Sequence, residues 1–272
     1  MYKRQVQEVG NIYPKYYLKA FYDGMTAEGD TMPISLIRSA WAGSAKYGAL
    51  VWSGDIVSTF ECFRRQVQAG LNMAVAGIPW WTTDIGGFHG ARTDDPDFHR
   101  LYIRWFEYGC FCPVMRLHGN RNPQEGYGAE QIGSGSDNEI WSFGDKAYEI
   151  SKKYIFLRER LRDYIRTQMK KAHEDGTPMM RPVFYDFPTD QESWNVEDAY
   201  LFGPDLYVAP VMEDHVTERE VYLPDGTAWF NAWTGEKYEG GQNVTVAAPM
   251  DIIPVFVREG ADTEHLLNIF SE

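Results

Sequence analysis

The sequence is poor in cysteine, short of basic residues and free of long apolar runs. Its three cysteines, Cys62, Cys110 and Cys112, form no disulfide framework, and the odd count leans towards a reducing, cytoplasmic compartment. Cys110-Phe-Cys112 is too closely spaced for a zinc knuckle and no histidine spacing supplies a metal site, so neither metal nor cofactor is expected. Lysine and arginine total 26 against 39 acidic residues, a net charge of −13. That balance argues against nucleic acid or an anionic membrane surface as a partner. No apolar stretch approaches the roughly 20 residues that span a bilayer, and no signal-peptide pattern opens the chain.

What is present is an ordinary globular composition with a high aromatic share, 15%, including 9 Trp and 17 Tyr. At 272 residues there is enough chain for one large domain or two smaller ones. Short apolar runs end repeatedly in a polar group. Tyr47 to Asp55, Ile78 to Asp84 and Cys112 to His118 each finish on a residue able to do chemistry. Asp55 to Asp84 is 29 residues and Asp84 to His118 is 34. A barrel of eight βα units averages about 31 residues per unit and gathers its catalytic groups at the C-terminal strand ends.

The periodicity predicts a helix over 13–25 with Tyr17, Leu18, Phe21 and Tyr22 on its apolar face. Strands are expected at 33–38, 48–52, 78–81 and 113–117, with helices over 59–76 and from Asp94-Asp95-Pro96 onwards between them. Phe60, Phe63, Val67, Leu71 and Val75 are expected to face inward from the first of these helices, and Phe98, Tyr102, Trp105 and Phe106 from the second. Strand–helix alternation implies parallel strands with right-handed crossovers. A long polar loop, 119–142, precedes one amphipathic helix over 143–174. Beyond Pro178 the chain alternates in the β manner between Pro and Gly turns, an all-β module of about 85 residues.

These segments carry a resemblance. Ile37-Arg-Ser-Ala-Trp-Ala-Gly43, Trp52-Ser-Gly-Asp55, Trp81-Thr-Thr-Asp-Ile-Gly-Gly-Phe88 and Met115-Arg-Leu-His-Gly119 resemble the motifs of glycoside hydrolase family 31, retaining α-glucosidases and α-xylosidases. Pro178-Met-Met-Arg-Pro182, Gly203 to Pro210 and Pro254 to Gly260 extend the likeness. It implies an α/β fold, the C-terminal half of a TIM (β/α)8 barrel over 1–177, then a β-sandwich over 178–262 and a truncated tail over 263–272. It implies Asp55 as general acid/base, with Arg38, Trp52, Trp81, Asp84, Arg116 and His118 around the sugar. The substrate would be an oligosaccharide with a terminal α-linked xylose or glucose, xylose slightly preferred. Trp52 is expected to give Asp55 an apolar, desolvating wall. Homo-oligomerisation is an expectation for the full-length parent only.

The departures from that pattern matter as much. The family's nucleophile, an aspartate in a Trp-Leu/Met-Asp type motif, has no counterpart, since Asp23 and Asp30 lie in or just after the first helix. Met1-Tyr-Lys-Arg-Gln5 reads as a translated sequencing adapter, and Ala261 to His265 does not continue the family's apolar ending, so truncation at both ends is expected. A half-barrel would expose apolar surface and strand edges, and poor solubility with them. Plainer readings stand beside the functional ones. Asp55 is also a good helix N-cap, Asp84 a turn former, His118 a structural histidine, and Arg38 and Arg116 ion-pair partners for Asp55 and Asp84. Trp80, Trp105 and Trp141 are expected to pack, and His89 and His99 to lie at the surface. A non-catalytic carbohydrate-binding fragment and an α-glucan lyase remain the alternative functions.

Overall fold

The computed structural model describes residues 7–125, 134–260 and 262–271. The adapter-like Met1–Gln5 lies outside the described residues. Helix α1 (Tyr13–Ala27) starts on Pro14 in its first turn. Of its expected apolar face only Leu18 is buried, while Tyr17 and Phe21 are each 51% exposed and pack on one another. Periodicity marks a face; it cannot supply the neighbour that would cover it. Strands β1 (Ser35–Ile37), β2 (Ala49–Trp52) and β3 (Trp81–Thr82) pair in sequence order and in parallel, Ser35 opposite Ala49 and Val51 opposite Trp81. Among the described residues β1 has a strand on one side only. Tyr16, Ile34 and Leu36 join Tyr17 and Phe21 as exposed apolar side chains there.

A short 3-10 turn (Ser44–Tyr47) links β1 to β2, α2 (Phe60–Val75) crosses from β2 to β3, and α3 (Pro96–Cys110) follows β3. Thr59 caps α2 by accepting the Cys62 N–H, and Asp95 caps α3 by accepting that of Asp97. Phe63, Val67 and Leu71 are buried as expected; Val75, at the end of α2, is not. All four residues expected to face inward from α3 are buried, and Phe63 stacks on Trp105 at 4.8 Å to join the two helices.

Residues 113–117 do not form a strand. They run beside β3 on two backbone bonds, Val114 N to Trp81 O and Ile85 N to Arg116 O, both 3.2 Å, and Pro113 has no N–H to add another. The expected loop 119–142 holds a hairpin, β4 (Arg121–Glu125) against β5 (Ser134–Ser136). The expected single helix over 143–174 is two, α4 (Asp145–Arg160) and α5 (Arg162–Glu174), divided at the fully buried Leu161. The bonds Leu161 N to Leu157 O and Ile165 N to Leu161 O persist across the division. The apolar period therefore runs through it unbroken.

Strands β6 (Met180–Arg181), β7 (Tyr200–Phe202), β8 (Leu206–Val208), β10 (Ala228–Asn231), β11 (Lys237–Glu239) and β13 (Val255–Arg258) form an antiparallel sheet in the order β11-β10-β13-β8-β7-β6. β9 (Glu218–Leu223) pairs with β12 (Gln242–Ala247) in a second sheet. Strand alternation gives the large sheet two buried faces. Leu201, Tyr207, Trp229 and Phe256 meet Val221, Leu223 and Val246 of the small sheet. Tyr200, Phe202, Leu206, Val208, Val255 and Val257 join the core of the α/β part. The segment read as a truncated tail is a helix, α6 (Thr263–Ser271). It buries Leu266, Ile269 and Phe270, the last stacked 6.3 Å from Phe111.

A buried polar knot fastens the two parts. Arg104, on α3, donates to the carbonyls of Val216, Ala248, Pro249 and Ile252 and to Glu107 Oε2 at 3.1 Å. Burial pushes the Glu107 carboxyl from 4.5 up to about 8, against the pull of Arg104. Folded Glu107 thus keeps a proton that the unfolded chain gives up above 4.5, so its contribution to stability falls as pH rises from 4.5 to about 8. Glu107→Gln is expected to remove that slope. Urea unfolding across this range should show wild-type stability falling more steeply with pH than the variant's.

Candidate active site

The parallel register puts the C-terminal ends of β1, β2 and β3 side by side, and the candidate residues leave from those ends. Arg38 directly follows β1. Ser53-Gly54-Asp55 follows β2, with Gly54 at φ +82°, a left-handed turn that a side chain would strain. Arg38 Nη2 lies 2.8 Å from Asp55 Oδ2, and the same guanidinium sits 5.6 Å over the Trp52 ring. Arg38, Trp52 and Asp55 are one cluster. Trp52 faces Arg38 there, and the Asp55 side chain is 43% exposed, so the desolvating wall expected from Trp52 is not formed. Thr59 caps α2, which leaves Asp55 without that structural duty.

Asp84 follows β3 by two residues and is fully buried. Its Oδ1 accepts a bond from Arg116 Nη1, and its Oδ2 is buried without a partner among the described residues. Burial pushes this carboxyl up from its ordinary value; Arg116 and His118 pull it back, and Asp55 adds to the rise. Asp84 also shapes its turn, its carbonyl accepting the Gly87 N–H while Gly86 and Gly87 take φ of +85° and +80°. His118 is exposed, its ring 5.5 Å from that of Phe88. Asp84, Arg116 and His118 form the second cluster.

Main-chain bonds join the clusters. Ile56 O accepts from Phe88 N at 2.7 Å and His89 N at 2.9 Å, Ser58 N donates to His89 O, and Asn120 N donates to Phe88 O. The Asp55, Asp84 and His118 loops are thus one hydrogen-bonded collar. Trp81 is not part of it. At 2% exposure it packs in the core, where a Cβ on Gly70 would fall 2.7 Å from its Nε1. As a residue of β3 itself, it points to the sheet's packed face. Trp105 is buried, as expected of a packing residue, whereas Trp141 is 67% exposed. A cavity of about 730 Å³ lined by Tyr22, Pro33, Gly48, Pro79 and Trp80 lies at the N-terminal strand ends, opposite the collar.

The motif reading passed over two residues. Phe88, whose ring meets His118, lay inside a quoted motif. Arg121 lay just beyond one, and nothing in a polar loop sequence announces that an arginine is wholly buried. The Arg116–Asp84 pair sets an expectation of its own. Arg116→Met should cost about 3 kcal/mol in urea unfolding by stranding a buried carboxylate. Asp84→Asn should cost less, and adding it to Arg116→Met should restore part of the loss.

Two family models cover nearly the whole chain. Residues 2–168 match the family 31 glycosyl hydrolase TIM-barrel domain and residues 176–261 the family 31 C-terminal domain. The α-xylosidase of Saccharolobus solfataricus is 38% identical over 251 residues, 92% of this chain and 32% of that protein. Alpha-glucosidase 2 of Bacillus thermoamyloliquefaciens is 33% identical over 260 residues, 94% of this chain and 30% of that protein. The crystal structure of a family 31 α-xylosidase from a soil metagenome, complexed with xylose, superposes with a TM-score of 0.93 at 54% identity, covering 96% of this chain and 40% of that one. The chain therefore spans about a third of the length of these relatives. With barrel and C-terminal domains matched in order, the chain belongs to glycoside hydrolase family 31.

Proposed function

We propose that the chain carries the acid/base side of a retaining α-glycosidase site that removes terminal α-linked xylose or glucose, with Asp55 as the general acid/base. One observation carries this reading. Asp55 stands past the end of β2, ion-paired to Arg38 and relieved of capping α2, on a collar shared with Asp84 and His118. In the first step Asp55 would protonate the leaving glycosidic oxygen. In the second, as a carboxylate, it would take a proton from the water that releases the sugar.

Asp84 suits a different part. Its Oδ1 is held by Arg116, and its Oδ2, buried without a partner among the described residues, is an acceptor that a sugar hydroxyl reaching this loop would satisfy. His118 and Arg38, both exposed, would bind the same ring from other loops, and Trp81 would support β3 from below. Retention also needs an ionised carboxylate about 5–5.5 Å from the acid, and the sequence has no motif for it. We place the nucleophile outside these 272 residues and the division between barrel part and β-sandwich at 177/178. Support for xylose comes from the 54% identity, over 96% of this chain, to the enzyme solved with xylose.

The isolated chain is expected to bind xylose by calorimetric titration, to lose about tenfold or more of that affinity in Asp84→Ala, and to leave an aryl α-xyloside uncleaved. Turnover that disappears in Asp55→Asn would refute the placement of the nucleophile elsewhere. Failure to bind either xylose or glucose would sink the glycone-shell assignment.

A further inference from the structure

Arg121 is the least expected charge in the molecule. It opens β4 within a polar segment, yet it is 0% exposed and forms no ion pair with a described residue. Burying a guanidinium without a carboxylate is costly unless its donors are otherwise satisfied. They are satisfied by the loops that carry the site. Nη2 donates to Ile85 O at 3.0 Å and Nη1 to Gly87 O at 2.7 Å, the two carbonyls that bracket Gly86 just after Asp84. Nη1 also reaches Ser58 Oγ at 3.5 Å in the Asp55 loop, and Nε donates to Asn138 Oδ1 at 2.7 Å beyond the hairpin. The planar fork lies 4.8 Å from the centre of the Phe98 ring.

The surroundings keep room for this group. A Cβ on Gly119 would fall 2.5 Å from the guanidinium carbon, and one on Gly86 would fall 3.1 Å from Nη2. Burial pulls Arg121 down to about 10, and the charge that holds it up most is that of Asp84.

We propose that Arg121 is the positioning residue of the Asp84 loop: gripping the Ile85 and Gly87 carbonyls from beneath, it holds Asp84 with one carboxylate oxygen on Arg116 and the other buried and unpaired, the acceptor left for a sugar hydroxyl. A lysine would keep the charge but lose the two-pronged grip. This assignment rests on the reading of Asp84 as a sugar-binding residue, and its test separates the two.

The amides of Ile85, Gly87, Phe88 and His89 are all hydrogen-bonded and report directly on the loop. In the whole chain, Arg121→Lys and Arg121→Met are expected to speed hydrogen exchange at these amides about tenfold or more, while amides of α2 and β10 keep wild-type rates. Xylose affinity should fall about tenfold in both variants. Asn138→Ala, which cuts only the link to the hairpin, should leave loop exchange and affinity near wild type. Wild-type exchange at 85–89 in a folded Arg121→Lys chain would overturn the proposal. So would loosening by Asn138→Ala as large as that by Arg121→Lys, because Arg121 would then serve the hairpin. Faster exchange with unchanged xylose affinity would overturn it as well. If the wild-type chain binds no xylose, the reading of Asp84 fails while the exchange measurements still decide whether Arg121 holds the loop.

Discussion

Parallel pairing of β1, β2 and β3 is the constraint on which the site depends. Parallel strands need a crossover back to the start, so each strand begins at one end of the sheet and finishes at the other. The short 3-10 turn Ser44–Tyr47 makes the return from β1 to β2 and α2 the return from β2 to β3, while α3, which follows β3, packs on α2 through Trp105 and Phe63. Once the register is set, Arg38, Asp55 and Asp84 must leave from the same end. The collar of main-chain bonds among 56–58, 88–89 and 120 then turns three adjacent loops into one platform.

The second organising feature is a sheet buried on both faces. One face of the six-stranded sheet completes the core of the α/β part, and the other closes on β9 and β12. The barrel part is thus packed against the β part as one would pack a core, and α6 covers a further edge of the same core through Phe111 and Trp233. Two arginines tie main-chain segments together inside this core. Arg104 binds the 248–252 turn to α3, and Arg158 donates to the carbonyls of Cys110, Cys112 and Pro113, steadying the segment that leads to Arg116 and His118. The apolar surface on α1 and β1 has no such covering among the described residues.

Much of this was legible in the chain. The start of α3 was readable because Asp95 carries the capping chemistry in its own side chain, whereas α2, for which Asp55 was the candidate cap, is capped by Thr59. The polar strand ends were readable because Gly54, Gly86 and Gly87 mark the turns that follow. Several features escaped, three of them for definite reasons. Leu161 divides α4 from α5 without breaking the 3.6-residue period or its flanking hydrogen bonds. Residues 113–117 are apolar and extended like a strand, but one backbone bond ties them to β3 and one more to Ile85 beyond its end. Trp81 was read as a pocket wall from its motif, whereas the face a strand side chain takes is set by the packing of the sheet.

By itself the sequence determined the βα alternation, the change to β structure after Pro178, the family, and the identity of Asp55 and Asp84 as the strand-end carboxylates. Each of these is written in local pattern: apolar period, capping residue, turn glycine, or a motif a few residues long. The tertiary structure decided what each carboxylate does with its charge. Asp55 is left at the rim with Arg38, and Asp84 is sealed in with Arg116 and one oxygen unpaired. It also decided that Arg121 is buried under the loop it holds. Burial and partnership are properties of neighbours distant in the chain, and no local pattern encodes them.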